Sequence, residues 1–161
     1  MKGFLYSLAL QWKLDIRSKS LLVTYYIVPL IFFLLMGGIF TSVMPKMAST
    51  LIQSMIVLSV SMGAFLGLPP SLFETYGSDI KKIYKANGVP IHLGLVTMVL
   101  SAFIHLMITC MVILLLAPIL FKANLPSQFL LFFLALAIYI FVSLSIGSIL
   151  GLTVKNQAKL T

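Results

Sequence analysis

The sequence predicts an all-α, polytopic integral membrane protein: four transmembrane helices, an N-terminal interfacial helix and a short cytoplasmic helix. Three observations predict it. Of 161 residues, 61% are apolar and 9% charged, against roughly 25% charged in a soluble domain; mean hydropathy is +1.15. The charges fall in five short segments separated by four charge-poor stretches, each long enough to cross a bilayer core of about 30 Å once. Finally, the eleven basic residues are sorted by position along the chain. A water-soluble fold is excluded, as are a disordered chain, which needs low hydrophobicity, and a disulfide scaffold, since Cys110 stands alone.

Residues 1–161 read as one transmembrane domain, with an interfacial segment over 1–20 and spans over about 21–44, 47–73, 91–121 and 127–154. If all four stretches cross, Lys2, Lys13, Arg17, Lys19, Lys81, Lys82, Lys85, Lys155 and Lys159 share one side, and Lys46 and Lys122 the other. Short loops rich in Lys and Arg stay cytoplasmic. Both termini and the middle segment 74–90 are therefore expected inside, in a multi-pass protein of the cell membrane. The same sorting accounts for the basic pI without nucleic acid, which is not expected as a partner.

The run Phe4 to Trp12 is too short for a signal peptide and ends in Lys13, Asp15 and Arg17 without a small-residue cleavage site. At 100° per residue, Phe4, Leu5, Leu8, Trp12 and Ile16 share a face opposite Lys13 and Arg17, which predicts a helix lying on the inner leaflet. Asp15, Leu10 and Leu14 interrupt this pattern. Outside, Pro45 breaks the turn between spans one and two, and Pro118 and Pro126 mark the turn between spans three and four. These outer turns leave no room for a folded domain.

Span two is expected to end near Pro69-Pro70, followed by a polar hinge, Glu74-Thr75-Tyr76-Gly77. Ser78 to Ala86 then reads as a short helix. Ser78 can cap its first turn and Asp79 complements the positive end of its dipole, while Lys85 suits the other end. Asn87-Gly88 supplies a left-handed stop and Pro90 prevents resumption. Ile80, Ile83 and Tyr84 share a face, with Lys81, Lys82 and Lys85 around the remainder. This face suits either the anionic inner leaflet or a groove on a cytoplasmic partner.

Ser59, Gly63 and Gly67 in span two, and Ser143, Gly147 and Gly151 in span four, recur at four-residue intervals. Such ladders let helix backbones approach closely in lipid; the other reading is that they line a substrate path. Gly37-Gly38 in span one marks a flexible or tightly packed point. Asp15, Glu74 and Asp79, the only carboxylates, all fall in cytoplasmic segments, which weighs against proton- or cation-coupled exchange. His105 and Cys110 diverge by about 140° on a helix, so they form neither a metal site nor a nucleophile–base pair. His105 reads as a neutral, hydrogen-bonded packing residue. No catalytic residue, metal site or cofactor is expected, and the sequence lacks a phosphate-binding GxxxxGK[ST] loop.

Taken in order, these features resemble the ABC-2 type membrane permeases, the transmembrane subunits of one class of ATP-binding-cassette exporters. The similarity lies in the N-terminal stretch Phe4 to Arg17 leading into span one, the tiny outer loops, and the segment Ser78 to Pro90. Its run Tyr84-Lys85-Ala86-Asn87-Gly88-Val89-Pro90 is similar to the family's LRATPV stretch before span three. A glycine-spaced fourth span closing in Val154-Lys155-Asn156-Gln157-Ala158 completes it. The resemblance implies that residues 1–20 form an elbow helix and Ser78 to Ala86 a coupling helix, with Ile80, Ile83 and Tyr84 contacting a separate nucleotide-binding ATPase subunit. It also implies a second permease subunit, identical or different. Family members typically carry six spans, so this chain reads as lacking the last two, either as a fragment or as a reduced permease needing a companion chain. The expected function is export of an amphiphilic or hydrophobic substrate, with ATP hydrolysed by the partner and no enzymatic activity in this chain. The alternative is a non-transporting assembly or immunity subunit that works through helix–helix packing.

Overall fold

A computed structural model describes residues 2–77, 80–88 and 90–153, and these are helical almost throughout. The helices are α1 (Lys2–Arg17), α2 (Lys19–Leu22), α3 (Val28–Val43), α4 (Leu51–Met62), α5 (Leu68–Gly77), α6 (Ile80–Ala86), α7 (Ile91–Phe121) and α8 (Phe129–Thr153). A π-helical turn, Val23–Ile27, joins α2 to α3, and another, Gly63–Gly67, joins α4 to α5. Four continuous apolar rods result: span one (Lys19–Val43), span two (Leu51–Tyr76), span three (His92–Phe121) and span four (Phe129–Thr153). Each is long and apolar enough to cross a membrane, so the chain is a multi-pass membrane protein in architecture.

Spans two and three hold the core. Span two buries Ile52, Ile56, Val60, Ala64, Leu68 and Leu72 at every fourth position, and span three buries Leu106, Cys110, Ile113 and Ala117. Span four adds Leu136, Ile140 and Leu144. Its opposite face, including Leu130, Leu134, Ile138, Phe141 and Ile149, is exposed, as expected for a helix whose solvent is lipid.

The two π turns have one cause. Each starts six residues before a proline, Val23 before Pro29 and Gly63 before Pro69. A proline ring has no N–H and collides with the carbonyl four residues earlier. Widening the preceding turn moves that carbonyl aside, and the chain closes i→i−5 bonds instead, Val28 N–H to Val23 O and Leu68 N–H to Gly63 O. The helix therefore survives Pro69-Pro70 and runs to Gly77. This corrects the expected end of span two near the prolines and turns the expected polar hinge into helix. Pro118 likewise lies inside α7, which ends three residues later at Phe121. The stop is made by Lys122 at φ 53°, with Lys122 N–H bonded to Pro118 O at 3.1 Å and Ala123 N–H to Ala117 O at 3.3 Å. Between spans one and two, Pro45–Ser49 forms a 3₁₀ turn, so span two begins four residues later than expected.

The α6 stop follows the sequence expectation: Gly88 takes φ +64° and Asn87 Nδ2 donates to Ile83 O at 2.8 Å. Ser78 and Asp79, expected to start this helix, and the segment carrying Lys155 and Lys159 lie outside the described residues.

The two small-residue ladders do not face each other. Span four turns Gly147 and Gly151 onto span two: a Cβ at Gly147 would collide with the Ala64 carbonyl oxygen, and one at Gly151 would stand 2.9 Å from the Pro69 backbone. Gly63 and Gly67 instead receive the Tyr25 ring of span one, and Gly63 also receives Leu106 of span three. Ser59 and Ser143 are buried at the ends of their ladders. In span one, Gly37 makes room for the Phe121 ring, which also packs edge-on against Phe33 at 5.3 Å.

Gly147→Ala is expected to destabilise the protein by about 1–3 kcal/mol, because backbone rather than a flexible side chain occupies the space. Gly38→Ala, whose nearest neighbour would be 4.0 Å away, should be close to neutral. Thermal unfolding of both variants in detergent checks the contrast.

Candidate functional site

Two features stand out: a buried polar stripe on span three, and the connecting helix α6. Thr97, Ser101, His105 and Thr109 recur every four residues along α7 and are at most 2% exposed. Four-residue spacing puts them on one face of the helix, and different elements of the chain meet that face at successive levels.

At the level of Thr109, its hydroxyl donates to Tyr25 O at 2.7 Å. That carbonyl stands four residues before Pro29, where an α-helix would have supplied an N–H. A polar group left bare in an apolar interior costs about 1–3 kcal/mol, so this bond fixes the π turn of span one against span three.

At the next level, His105 is surrounded by aromatic rings. Trp12 stacks on it at 4.1 Å with planes 6° apart, Tyr25 stacks at 5.6 Å, and Tyr26 meets it edge-on at 5.6 Å. His105 Nδ1 lies 2.6 Å from the Tyr26 hydroxyl. His105 Nε2 has no hydrogen-bond partner, and the closest acidic oxygen is Asp15 Oδ2 at 3.9 Å. Asp15 itself is 6% exposed and accepts from Ser101 Oγ at 2.5 Å and Gln11 Nε2 at 2.8 Å. Ser101 thus donates to the carboxylate and not to His105, so the three side chains do not form a nucleophile–base pair.

α1 docks on α7 through this cluster, and its docked face differs from the apolar face read from the sequence. Phe4, Leu8, Gln11, Trp12 and Asp15 are turned inward, whereas Leu5 and Ile16 are exposed, at 63% and 45%. The residue that interrupts the apolar pattern, Asp15, is the most deeply buried of the helix. His105 is hydrogen-bonded, as expected, but it also receives a carboxylate from 90 positions away in sequence. Thr97, Ser101, His105 and Thr109 were legible as a four-residue polar period in an otherwise apolar span. Asp15 as their partner was not.

Asp15 lies three residues before span one begins at Ser18–Lys19, yet beside Ser101, ten residues into α7. About 15 Å of α7, at 1.5 Å per residue, therefore runs past the level where span one starts. The end of α5 follows it for a shorter distance, since Ser18 and Glu74 line one small pocket, and there the Tyr76 hydroxyl and the Tyr84 ring close on Gly94, where a Cβ would stand 2.9 and 3.1 Å from them. α6 joins these two extensions. Lys82, Ile83 and Lys85 are exposed, Ile83 at 56%, while Tyr84 is half-buried and anchors the helix to α7. The expected Ile80–Ile83–Tyr84 face is thus divided between an outward isoleucine and an inward tyrosine. Ile80 and Lys81 lie in the helix between Asp79 and Lys82.

Spans three and four also enclose an open apolar groove of about 410 Å³, lined by Leu95, Val99, Phe141, Ser148 and Leu152 among others. Its two serines, Ser145 and Ser148, bond back to Phe141 O and Leu144 O of their own helix, leaving the groove without an outward polar anchor. Among the described residues no group of three or more metal-ligating side chains is present.

Thr109→Val should cost about 0.5–2 kcal/mol, since it strips the partner from the Tyr25 carbonyl. Thr97→Val should cost less, because Thr97 bonds only Leu93 O and Gly94 O of its own helix. Denaturation of both variants in mixed micelles compares them directly. The chain matches no family model, no curated protein and no solved structure.

Proposed function

We propose that the chain is a transmembrane subunit of an ABC-2 type exporter, with α1 as its elbow helix and α6 as its coupling helix. The observation that carries this reading is the placement of α6. It joins the end of α5 to the start of α7, whose first turns overreach span one by about 15 Å, is braced by Tyr84 and Tyr76 against Gly94, and exposes Lys82, Ile83 and Lys85. A rigid lever of this kind suits a separate ATPase that pushes on the membrane part from the cytosol. In that orientation both termini and α6 are cytoplasmic, in agreement with the side that the basic residues favour, and the protein belongs to the cell membrane.

The chain then carries no ATP chemistry of its own. A second permease subunit, the same or different, completes the pathway, and the apolar groove between spans three and four suits the alkyl part of an amphiphilic cargo. The alternative of a subunit acting only through helix packing has less support. The glycine ladders it relied on are filled by Tyr25, Leu106, Ala64 and Pro69 of the same chain, so they offer no surface to another protein.

Purified from its native membrane, the protein should carry along a nucleotide-binding ATPase subunit. Ile83→Asp, or Lys82→Glu with Lys85→Glu, should lower substrate-stimulated ATPase activity at least about fivefold while membrane insertion is retained. Absence of any such ATPase from the wild-type preparation, or undiminished coupling in Ile83→Asp, defeats the assignment. A Lys85→Cys variant should react with a membrane-impermeant maleimide in inside-out vesicles and stay unreactive in intact cells.

A further inference from the structure

We propose that α1 is a two-position element, latched to span three by the hydrogen bond between Asp15 and Ser101 and able to roll from there onto the lipid surface. This goes beyond the transport reading and stands whether or not an ATPase partner exists.

The helix carries two overlapping faces. One, Phe4, Leu8, Gln11, Trp12 and Asp15, is turned against α7. The other, Phe4, Leu5, Leu8, Trp12 and Ile16, is the uniformly apolar one, and a bilayer would select it. The centres of the two faces differ by about 45° at 100° per residue. Phe4, Leu8 and Trp12 belong to both. What separates the two positions is the exchange of Gln11 and Asp15 for Leu5 and Ile16. In the docked position Leu5 and Ile16 are uncovered, at 63% and 45% exposure, and Asp15 is removed from water. In the rolled position the two apolar side chains gain cover and Asp15 regains water.

The latch is therefore polar. The buried pair that crosses from α1 to span three is Asp15 and Ser101; Gln11 supports the carboxylate from within α1, and His105 Nε2 stands 3.9 Å from it, beyond hydrogen-bond reach. Removing one member of such a buried pair leaves the other uncompensated, whereas removing both can be close to neutral. Buried polar pairs of this type are best attested as devices that set register or switch between states. The turn at Ser18 gives the helix somewhere to pivot: it breaks the helical path with extended backbone (ψ 107°) and caps α2 by accepting from Leu21 N–H at 3.4 Å.

The test uses the full chain in lipid nanodiscs containing anionic phospholipid, with spin labels at the exposed positions Leu10 on α1 and Val96 on α7. The wild type should give a narrow inter-label distance for the docked position. Asp15→Leu should lower the docked-to-released ratio about tenfold or more and bring in a second, longer distance. Ser101→Ala should lower it as well, and the Asp15→Leu/Ser101→Ala double variant should lose clearly less than the two single losses combined. Labels at Leu66 and Ile146, on spans two and four, should keep one distance in every variant and so report an intact fold. An Asp15→Leu distribution identical to wild type, or strictly additive losses in the double variant, overturns the proposal, since docking would then be apolar packing without a latch.

Discussion

In an apolar surrounding every backbone N–H and C=O must find its partner within the chain, and this protein meets that demand with prolines inside both of its first two spans. Pro29 and Pro69 each remove a donor and displace a carbonyl. The chain answers with a π turn at each site, and the carbonyl of Tyr25 is served by Thr109 from another helix. Much of the remaining architecture follows from that repair. The wide turns bring Tyr25 into the space left by Gly63 and Gly67, and the backbone of Ala64 in the second turn and of Pro69 just after it receives Gly147 and Gly151 of span four. The glycines are small because backbone or an aromatic ring must come close there, and each approach is made within one chain.

Span three is the common support. Its apolar length holds the core, while the stripe Thr97, Ser101, His105 and Thr109 gives it four polar levels. Ser101 and His105 meet α1, Thr109 meets the π turn of span one, and Gly94, one level further out, carries the tyrosines that brace α6. One helix that touches α1, span one and α6 ties their positions together, since packed helices shift as bodies and do not deform continuously. The buried hydrogen bond of Ser101 to Asp15, with His105 beside it, sits at the middle of this arrangement.

The membrane architecture was written in the composition. Sixty-one per cent apolar residues and charges confined to short segments leave no other class, and the Gly88 stop of α6 followed from local chemistry that needs no tertiary partner. The small-residue ladders were also legible, because four-residue periods survive in any helical context. Their mates were not: the period says that something comes close, and only packing decided that span four meets Ala64 and Pro69 while span two meets Tyr25. The prolines misled for a related reason. Locally a proline ends a helix, but in lipid an open end costs more than a widened turn, so the helix continues through Pro69-Pro70 to Gly77.

The same divide separates the two faces of α1. Hydrophobic periodicity selected Phe4, Leu5, Leu8, Trp12 and Ile16, as it must when water and lipid are the only alternatives considered. A neighbouring helix with its own polar stripe is a third environment, and there Asp15 is the residue to bury, because Ser101, Gln11 and His105 surround it. Sequence alone determined the membrane class and the presence of four long apolar helices, though not where the second begins and ends. Which carboxylate is buried, and against which histidine, was decided by tertiary structure, since charge burial depends on partners that no local pattern contains.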